Sequence, residues 1–493
     1  MTDPRPPQIN RFKTLDKDLD RQSVFEHAAD AVSRPIVALG IAALFIGICA
    51  LIAAAFAGEG QTMLIITAAA GFGAYMALNI GANDVANNMG PAVGSKALTM
   101  GGALIIAAVC ETAGALIAGG DVVSTIAGGI VAPEAVATES VFVRAMLAAL
   151  IASSLWLNIA TWAGAPVSTT HSIVGGVVGA GIVAGGFAAV NWGMIGQIAA
   201  SWVISPVLGG IFAALFLAII KARVNDVPDK LAAARIWVPA LVGLMAGTFT
   251  TYLATKGLKK LIDISGLTAA GLGLAVGLLV WAWMRPVIAR KSATMENRKR
   301  SLKQLFGLPL VAAAALMSFA HGANDVSNAV GPLAAIVHVV QGNGMAAGSV
   351  GLPLWILAIG AFGISFGLML FGPKLIRLVG DQITKLNQIR AFCVALSAAI
   401  TVIFASALGL PVSSTHIAVG GIFGVGFYRE WEAERRARRQ NLHKGTPLSA
   451  EERRRRKLVR RHHVVGIAAA WVITVPATAL ISALVFWLLG TLI

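Results

Sequence analysis

Charge is what this sequence has least of. Only 13% of its 493 residues are Asp, Glu, Lys or Arg, while 57% are hydrophobic. Soluble domains carry about a quarter charged residues. An ordinary soluble domain is therefore excluded and an all-α polytopic membrane protein is expected. Cysteine is scarce as well. Cys49, Cys110 and Cys393 all fall in apolar runs, so no disulfide framework or cysteine-based metal spacing exists. No Gly-x-x-x-x-Gly-Lys-Ser/Thr run occurs, which removes the usual ATP-binding loop. Residues 1–34 lack an early apolar core and hold six basic and six acidic side chains. They read as a polar cytoplasmic segment, not a secretory leader.

The formal net charge is +16. Its location matters more than its size. Residues 429–462 hold thirteen Lys/Arg against five Asp/Glu, and residues 285–303 hold seven against one. Both stretches lie between apolar runs and read as cytoplasmic loops under the positive-inside rule. Membrane lipid is the expected surroundings, and no nucleic-acid partner is expected.

Apolar stretches long enough to span a bilayer occur near 35–57, 62–93, 97–118, 194–220, 236–255, 266–284, 305–336, 350–373 and 464–490. Regions 141–190 and 391–428 are each broken by a polar cluster around a proline. Each is either two full spans or one re-entrant hairpin. Charge alone does not separate these, because crossing counts change in pairs. The hairpin reading gives about nine spans plus two hairpins, with the N-terminus cytoplasmic, the C-terminus outside and the protein in the cell membrane. Its one blemish is that Lys256, Lys259 and Lys260 fall outside.

Two motifs recur. Gly81-Ala82-Asn83-Asp84-Val85-Ala86-Asn87 returns as Gly322-Ala323-Asn324-Asp325-Val326-Ser327-Asn328. Pro166-Val167-Ser168-Thr169-Thr170-His171 returns as Pro411-Val412-Ser413-Ser414-Thr415-His416. The offsets are 241 and 245, so two repeats are present. By charge parity the first motif helix runs inward and the second outward, which makes the repeats inverted. The expected organisation is a polar segment 1–34, an extra helix 35–57, a first repeat 62–220 and a connecting pair 236–284. A basic loop 285–304 and a second repeat 305–490, containing the 429–462 loop, complete it.

Asn83, Asp84, Asn87, Asn324, Asp325 and Asn328 lie deep in apolar segments, where a carboxylate is expensive unless paired or hydrated. Gly81, Gly90 and Pro91, and Gly322, Gly331 and Pro332, flank them. Such residues predict a broken motif helix with free carbonyls lining a cavity. Carboxylate, amide and carbonyl oxygens together suit a hard cation. Asp84 and Asp325 are the candidate cation ligands, with Asn87, Asn328 and Glu111 as further candidates on the cation side. The proline-led clusters read as helix starts, whose N-termini and hydroxyls hold an oxyanion without Lys or Arg. Ser168, Thr169, Thr170, Ser413, Ser414 and Thr415 are the candidate oxyanion ligands. His171, His321 and His416 adjoin the clusters and read as local hydrogen-bonding groups more than proton carriers. Asn158 is a further candidate ligand.

On these motifs, from about residue 62 onward, the chain resembles the inorganic phosphate transporter (PiT) family. The resemblance implies two re-entrant hairpins and secondary active import of inorganic phosphate with Na⁺ or H⁺. It also implies that Asn83, Asp84, Asn324, Asp325 and the tip hydroxyls surround substrate and cation. It implies no enzyme activity and no cofactor beyond the coupling ion. A second copy of the chain, in a homodimer, is a candidate partner. Some relatives carry sulfate, so another tetrahedral oxyanion is the alternative substrate, and a passive anion channel is the alternative class. Many members have an acid mid-helix in both halves. Glu111 stands for the first, and Ala395 occupies the position expected for the second.

Overall fold

The computed structural model describes residues 36–131, 133–162, 167–257, 262–342, 352–382, 386–444 and 461–492. The 1–34 segment, Pro166, Lys259, Lys260 and residues 445–460 of the basic loop lie outside them.

The described residues are almost wholly helical. In chain order the helices are α1 (Ile36–Phe56), α2 (Gln61–Gly94), α3 (Met100–Ala118), α4 (Gly120–Ser124), α5 (Glu139–Trp162), α6 (Thr169–Gly185) and α7 (Trp192–Ile220). They continue as α8 (Lys230–Lys256), α9 (Gly266–Ala293), α10 (Lys299–Leu305), α11 (Gly307–Val340), α12 (Leu354–Gln382), α13 (Gln388–Ala407), α14 (Ser414–Lys444) and α15 (Arg461–Leu492). Short polar side chains start several of them. Thr99, Asn191, Asp229, Ser265 and Asn387 each accept a hydrogen bond from a first-turn amide.

Among the described residues, eleven helices are long and apolar enough to cross a membrane. Nine match the predicted spans. The other two, α5 and α13, are the first arms of the broken regions. Their second arms are α6, only 17 residues long, and α14. In each broken region the two arms pack on each other, forming the two expected hairpins. One expectation fails. The motif helices are not broken, because α2 and α11 run unbroken through Gly81 and Gly322 and through the internal Pro91 and Pro332. The interruptions fall at the hairpin tips instead.

The register of the contacts shows that the repeats are inverted. Gly81 of α2 lies against the Ile364 and Leu368 backbone of α12, and Gly367 lies against Leu78. Further along, Gly372 meets Val85, so α2 and α12 ascend together. Gly322 of α11 meets Glu111 of α3, and Gly119 meets Val326, so α3 and α11 also ascend together. Gly73 of α2 lies against Ala329 and Leu333 of α11, while Asp84, further along α2, lies by His321, so α2 and α11 are antiparallel. Gly81 and Gly322 are needed for this approach, since a Cβ at either would collide with the facing carbonyl.

The halves interlock. In α6, Gly175 and Gly179 pack on Val475 and Ala479 of α15. Their repeat mates in α14, Gly420 and Gly424, pack on Pro206 and Gly210 of α7. Each hairpin therefore leans on the last helix of the other half. Small residues let helix backbones close up where lipid gives no hydrophobic drive.

The loops read as cytoplasmic gather on one face. Asn297 of the 285–303 loop bonds the Lys230 amide and the Pro228 carbonyl, and Arg436 pairs with Asp226. Lys256, part of the charge blemish, meets Asp121 at 2.5 Å, so that carboxylate neutralises it.

Candidate functional site

The four motif segments converge on one buried cluster. Asp84, Asp325, His321 and Glu111 have at most 1% of their surface exposed. Asn83 of α2 donates to Thr161 of α5 at 3.1 Å, and its mate Asn324 donates to Ser406 of α13 at 2.9 Å. Thr161 and Ser406 are themselves separated by the hairpin offset of 245. Asn324 also holds the second tip, donating to the Leu410 carbonyl and accepting from the Val412 amide. Each motif's last amide then crosses to the opposite hairpin. Asn87 donates to Thr415 at 2.9 Å, and Asn328 donates to Thr169 and Thr170 at 3.3 and 3.2 Å.

At the tips, Ser168 and Ser413 cap α6 and α14 by accepting from the His171 and His416 amides. Their hydroxyl hydrogens remain able to donate. Thr170 donates to the Val412 carbonyl at 3.0 Å. The His171 and His416 rings meet edge-on, 4.5 Å apart between centroids. Thr112 and Ser365, 2.6 Å apart, likewise lie where the halves meet.

The acids carry the asymmetry. Thr415 donates to Asp84 Oδ1 at 2.9 Å, and Ser414 donates to Asp325 Oδ2 at 3.1 Å. Both acids are thus served by the second tip. His321 stands between them, with Nε2 2.9 Å from Asp325 Oδ2 and 3.8 Å from Asp84 Oδ2. Its Nδ1 lies 3.3 Å from Glu111 Oε2, and Asn88 donates to Glu111 Oε1 at 2.8 Å. Asp84 Oδ2, Asp325 Oδ1 and Glu111 Oε2 are buried and accept no hydrogen bond among the described residues. One ligand atom each of Asp84, His321 and Asp325 lies within 4.8 Å of the other two, a spacing that could hold one ion.

All thirteen predicted site residues except Glu111 sit on the motif helices or tips, and Glu111 joins them through His321. Asn158 does not join. It is exposed and donates to Asn79, at 3.4 Å, away from the acid cluster. Sequence reasoning undervalued His321 and passed over Asn88. A residue-by-residue comparison of the copies would have flagged both, because His321 faces Ile80 in the alignment and Asn88 faces Ala329. Packing also corrects the partner assigned to Glu111. Glu111 meets Gly322 as Ile364 meets Gly81, so Ile364 is its mate, and Ala395 corresponds to Leu150 by the hairpin offset.

Inverted repeats and two hairpins meeting tip to tip around a cluster of buried acids define a membrane carrier. Residues 80–482 match the phosphate transporter family, and the chain belongs to it. It is 44% identical over 94% of its length to a protein of Helicobacter pylori named "Putative phosphate permease", covering 97% of that protein. It is 37% identical to a protein of Arabidopsis thaliana named inorganic phosphate transporter 2-1, chloroplastic, over 87% of this chain and 74% of that one. A solved structure titled as the sodium-dependent phosphate transporter is 35% identical, with a TM-score of 0.78, and matches 87% of this chain and 100% of that one. This chain is a multi-pass membrane protein of phosphate transport.

Proposed function

We propose that the chain is a secondary active symporter that imports inorganic phosphate together with Na⁺. The observation that carries this reading is the meeting of Asp84 and Asp325, from antiparallel helices, with carboxylate oxygens that no protein donor satisfies. Buried acceptors without donors call for a cation. Sodium is preferred because the similar solved structure is named sodium-dependent.

Asp84 and Asp325 hold the cation, with Asn87, Asn328 and Glu111 shaping its surroundings. Asn83, Asn324 and the six tip hydroxyls of Ser168, Thr169, Thr170, Ser413, Ser414 and Thr415 bind phosphate. The tips present helix N-termini, whose first amides have no intrahelical partner and whose dipole favours an anion. No Lys or Arg occurs in residues 81–91, 166–171, 322–332 or 411–416. Without a fixed cation, phosphate binds well only when Na⁺ is present, and that dependence couples the two fluxes. The hairpins then exchange exposure to the two sides. The protein lies in the cell membrane with its N-terminus cytoplasmic and its C-terminus outside.

The test is uptake of labelled phosphate into proteoliposomes, with Na⁺ and pH gradients imposed separately and sulfate offered as competitor. A Na⁺ gradient alone drives accumulation above equilibrium, and sulfate competes weakly. Equilibration without accumulation under either gradient would identify a passive channel and defeat the symport reading.

A further inference from the structure

Beyond α3 the first half departs from the second. The helix ends at Ala118, and the chain continues through the short α4 into a π-turn over Thr125–Gly129. Its mate α12 runs unbroken from Leu354 to Gln382, past Gly372, which meets Val85 as Gly119 meets Val326. Wide turns of this kind are rare and concentrate at functional sites.

The π-turn covers the central cluster on the face opposite the basic loops. α11 leaves the 285–303 loop, passes Asn324 and Asn328, and then reaches Gly331, which packs on Ile126 and Ala127. Val122, Val123, Ile126, Ala127 and Ile130 are buried and form an apolar roof. One end of this roof is tied to the first hairpin. The Ile130 carbonyl accepts from the Asn191 amide at 2.9 Å, Val131 bridges to Val190, and Gly181 of α6 packs on Val131. The other end reaches the second hairpin, where Thr125 donates to the Gly409 carbonyl at 2.7 Å. Gly409 has φ +69°, the left-handed conformation that lets this tip turn. Asn324 holds the following residues from within, through the Leu410 carbonyl and the Val412 amide. The tip that serves both acids is thus held from two sides.

Breaking the outer hold does not orphan the hydroxyl. The Asp121 carbonyl, one turn back in α4, lies 3.5 Å from the same Thr125 oxygen, so a rotation of the side chain exchanges one acceptor for the other. Solvent access agrees with a roof on this side. Asn328 is fully buried, and its mate Asn87 is half-buried. The cluster is covered beside the π-turn and reachable beside the first motif.

We propose that Thr125 is the positioning residue of an outer gate. Its bond to Gly409 holds the second tip against the roof, and phosphate enters from the face opposite the basic loops only after that bond breaks. The roof moves with the first hairpin and is clasped to the second, so relative motion of the hairpins parts Thr125 from Gly409. This gate rests on the alternating exposure of the hairpins proposed above. Loss of one neutral hydrogen bond shifts the balance of closed and open forms about fivefold. Apparent affinity at a face follows the share of protein open to that face.

The test is uptake of labelled inorganic phosphate by the full-length protein in right-side-out and inside-out membrane vesicles. Thr125→Val lowers the half-saturating phosphate concentration about fivefold at the outer face and does not lower it at the basic face. Thr125→Ala does the same, and Thr125→Ser keeps the wild-type values. Thr138→Val removes a hydroxyl that meets Ser140 on the outer face and changes neither face. A role in folding or in the shared ligands alone would move both faces together. Equal shifts at the two faces, a fall confined to the basic face, unaltered values in Thr125→Val, or the same fall in Thr138→Val overturns the gate, and leaves symport standing if the wild type accumulates phosphate. The expected one-sided fall in a protein whose wild type equilibrates without accumulating keeps the gate and defeats the symport reading.

Discussion

The two halves share a backbone plan but not a charge plan. Each motif helix crosses to the other half's hairpin, and each first amide is tied to its own hairpin arm, through Thr161 or Ser406. Glu111, His321 and Asn88, by contrast, have Ile364, Ile80 and Ala329 as mates. Tip hydroxyls divide the same way. The second tip serves both acids, while the first serves Asn328 and a backbone carbonyl. Repetition therefore built a symmetrical frame, and side-chain replacement then biased its centre. A symmetrical pair of acids would face each other with equal claims on a cation. His321 instead lies nearer Asp325 than Asp84, so the two acids are unlike before any ion arrives.

The most severe break in that comparison is loss of an acid. Asp84→Asn and Asp325→Asn each lower phosphate uptake in proteoliposomes by a hundredfold or more, on the scale of about 3–5 kcal/mol for removing one member of a buried charge set. Elution as a monodisperse species in detergent checks that the variants remain folded. Uptake by either variant at the wild-type rate would remove the acids from the transport cycle.

Making the halves alike comes next. His321→Ile and Glu111→Ile each leave a buried polar group without its partner and lower stability by about 3 kcal/mol or more. The double variant copies the Ile80–Ile364 side and recovers at least about 1 kcal/mol of that loss, because contacting residues are not additive. Thermal unfolding of the three purified proteins measures this. Simple additivity would show that His321 and Glu111 do not act as a pair.

The hydroxyls give a smaller and sharper contrast. Thr415→Val removes a hydrogen bond to a carboxylate, worth about 1.5–3 kcal/mol, whereas Thr170→Val removes one to a neutral carbonyl, worth about 0.5–1.5 kcal/mol. The Na⁺ concentration for half-maximal uptake rises roughly tenfold more in Thr415→Val than in Thr170→Val, in keeping with that difference. Equal shifts would mean that the tips are equivalent in the working protein.

The smallest effect lies at the edge. Lys256→Ala breaks the contact with Asp121 and changes stability by less than about 1 kcal/mol, as for other partly exposed pairs. A larger shift in the unfolding midpoint would show that this link braces the connecting pair against the first repeat.

Much of the site was legible because membrane interiors make polar residues expensive. Asn83, Asp84 and their mates stood out against apolar neighbours, and repetition at nearly constant offsets marked them as one system. Glycine and proline misled at the motif helices. In α2 and α11 the glycines admit a neighbouring backbone and the prolines are accommodated inside the helix, so neither breaks it. His321 was undervalued for a different reason. A lone histidine beside a motif has no distinctive spacing, and its partners Glu111 and Asp84 lie more than two hundred residues away.

By itself the sequence determined the membrane class, the spans, the duplicated motifs and the chemistry of their side chains, because those follow from local hydrophobicity and from which groups lipid excludes. Only the tertiary structure decided that the halves interlock, that both acids turn to one hairpin tip and that Glu111 pairs through His321 and not with a mate at Ala395. These outcomes depend on which backbones approach closely enough to share a contact, and that is set by small residues packing across elements far apart in the chain.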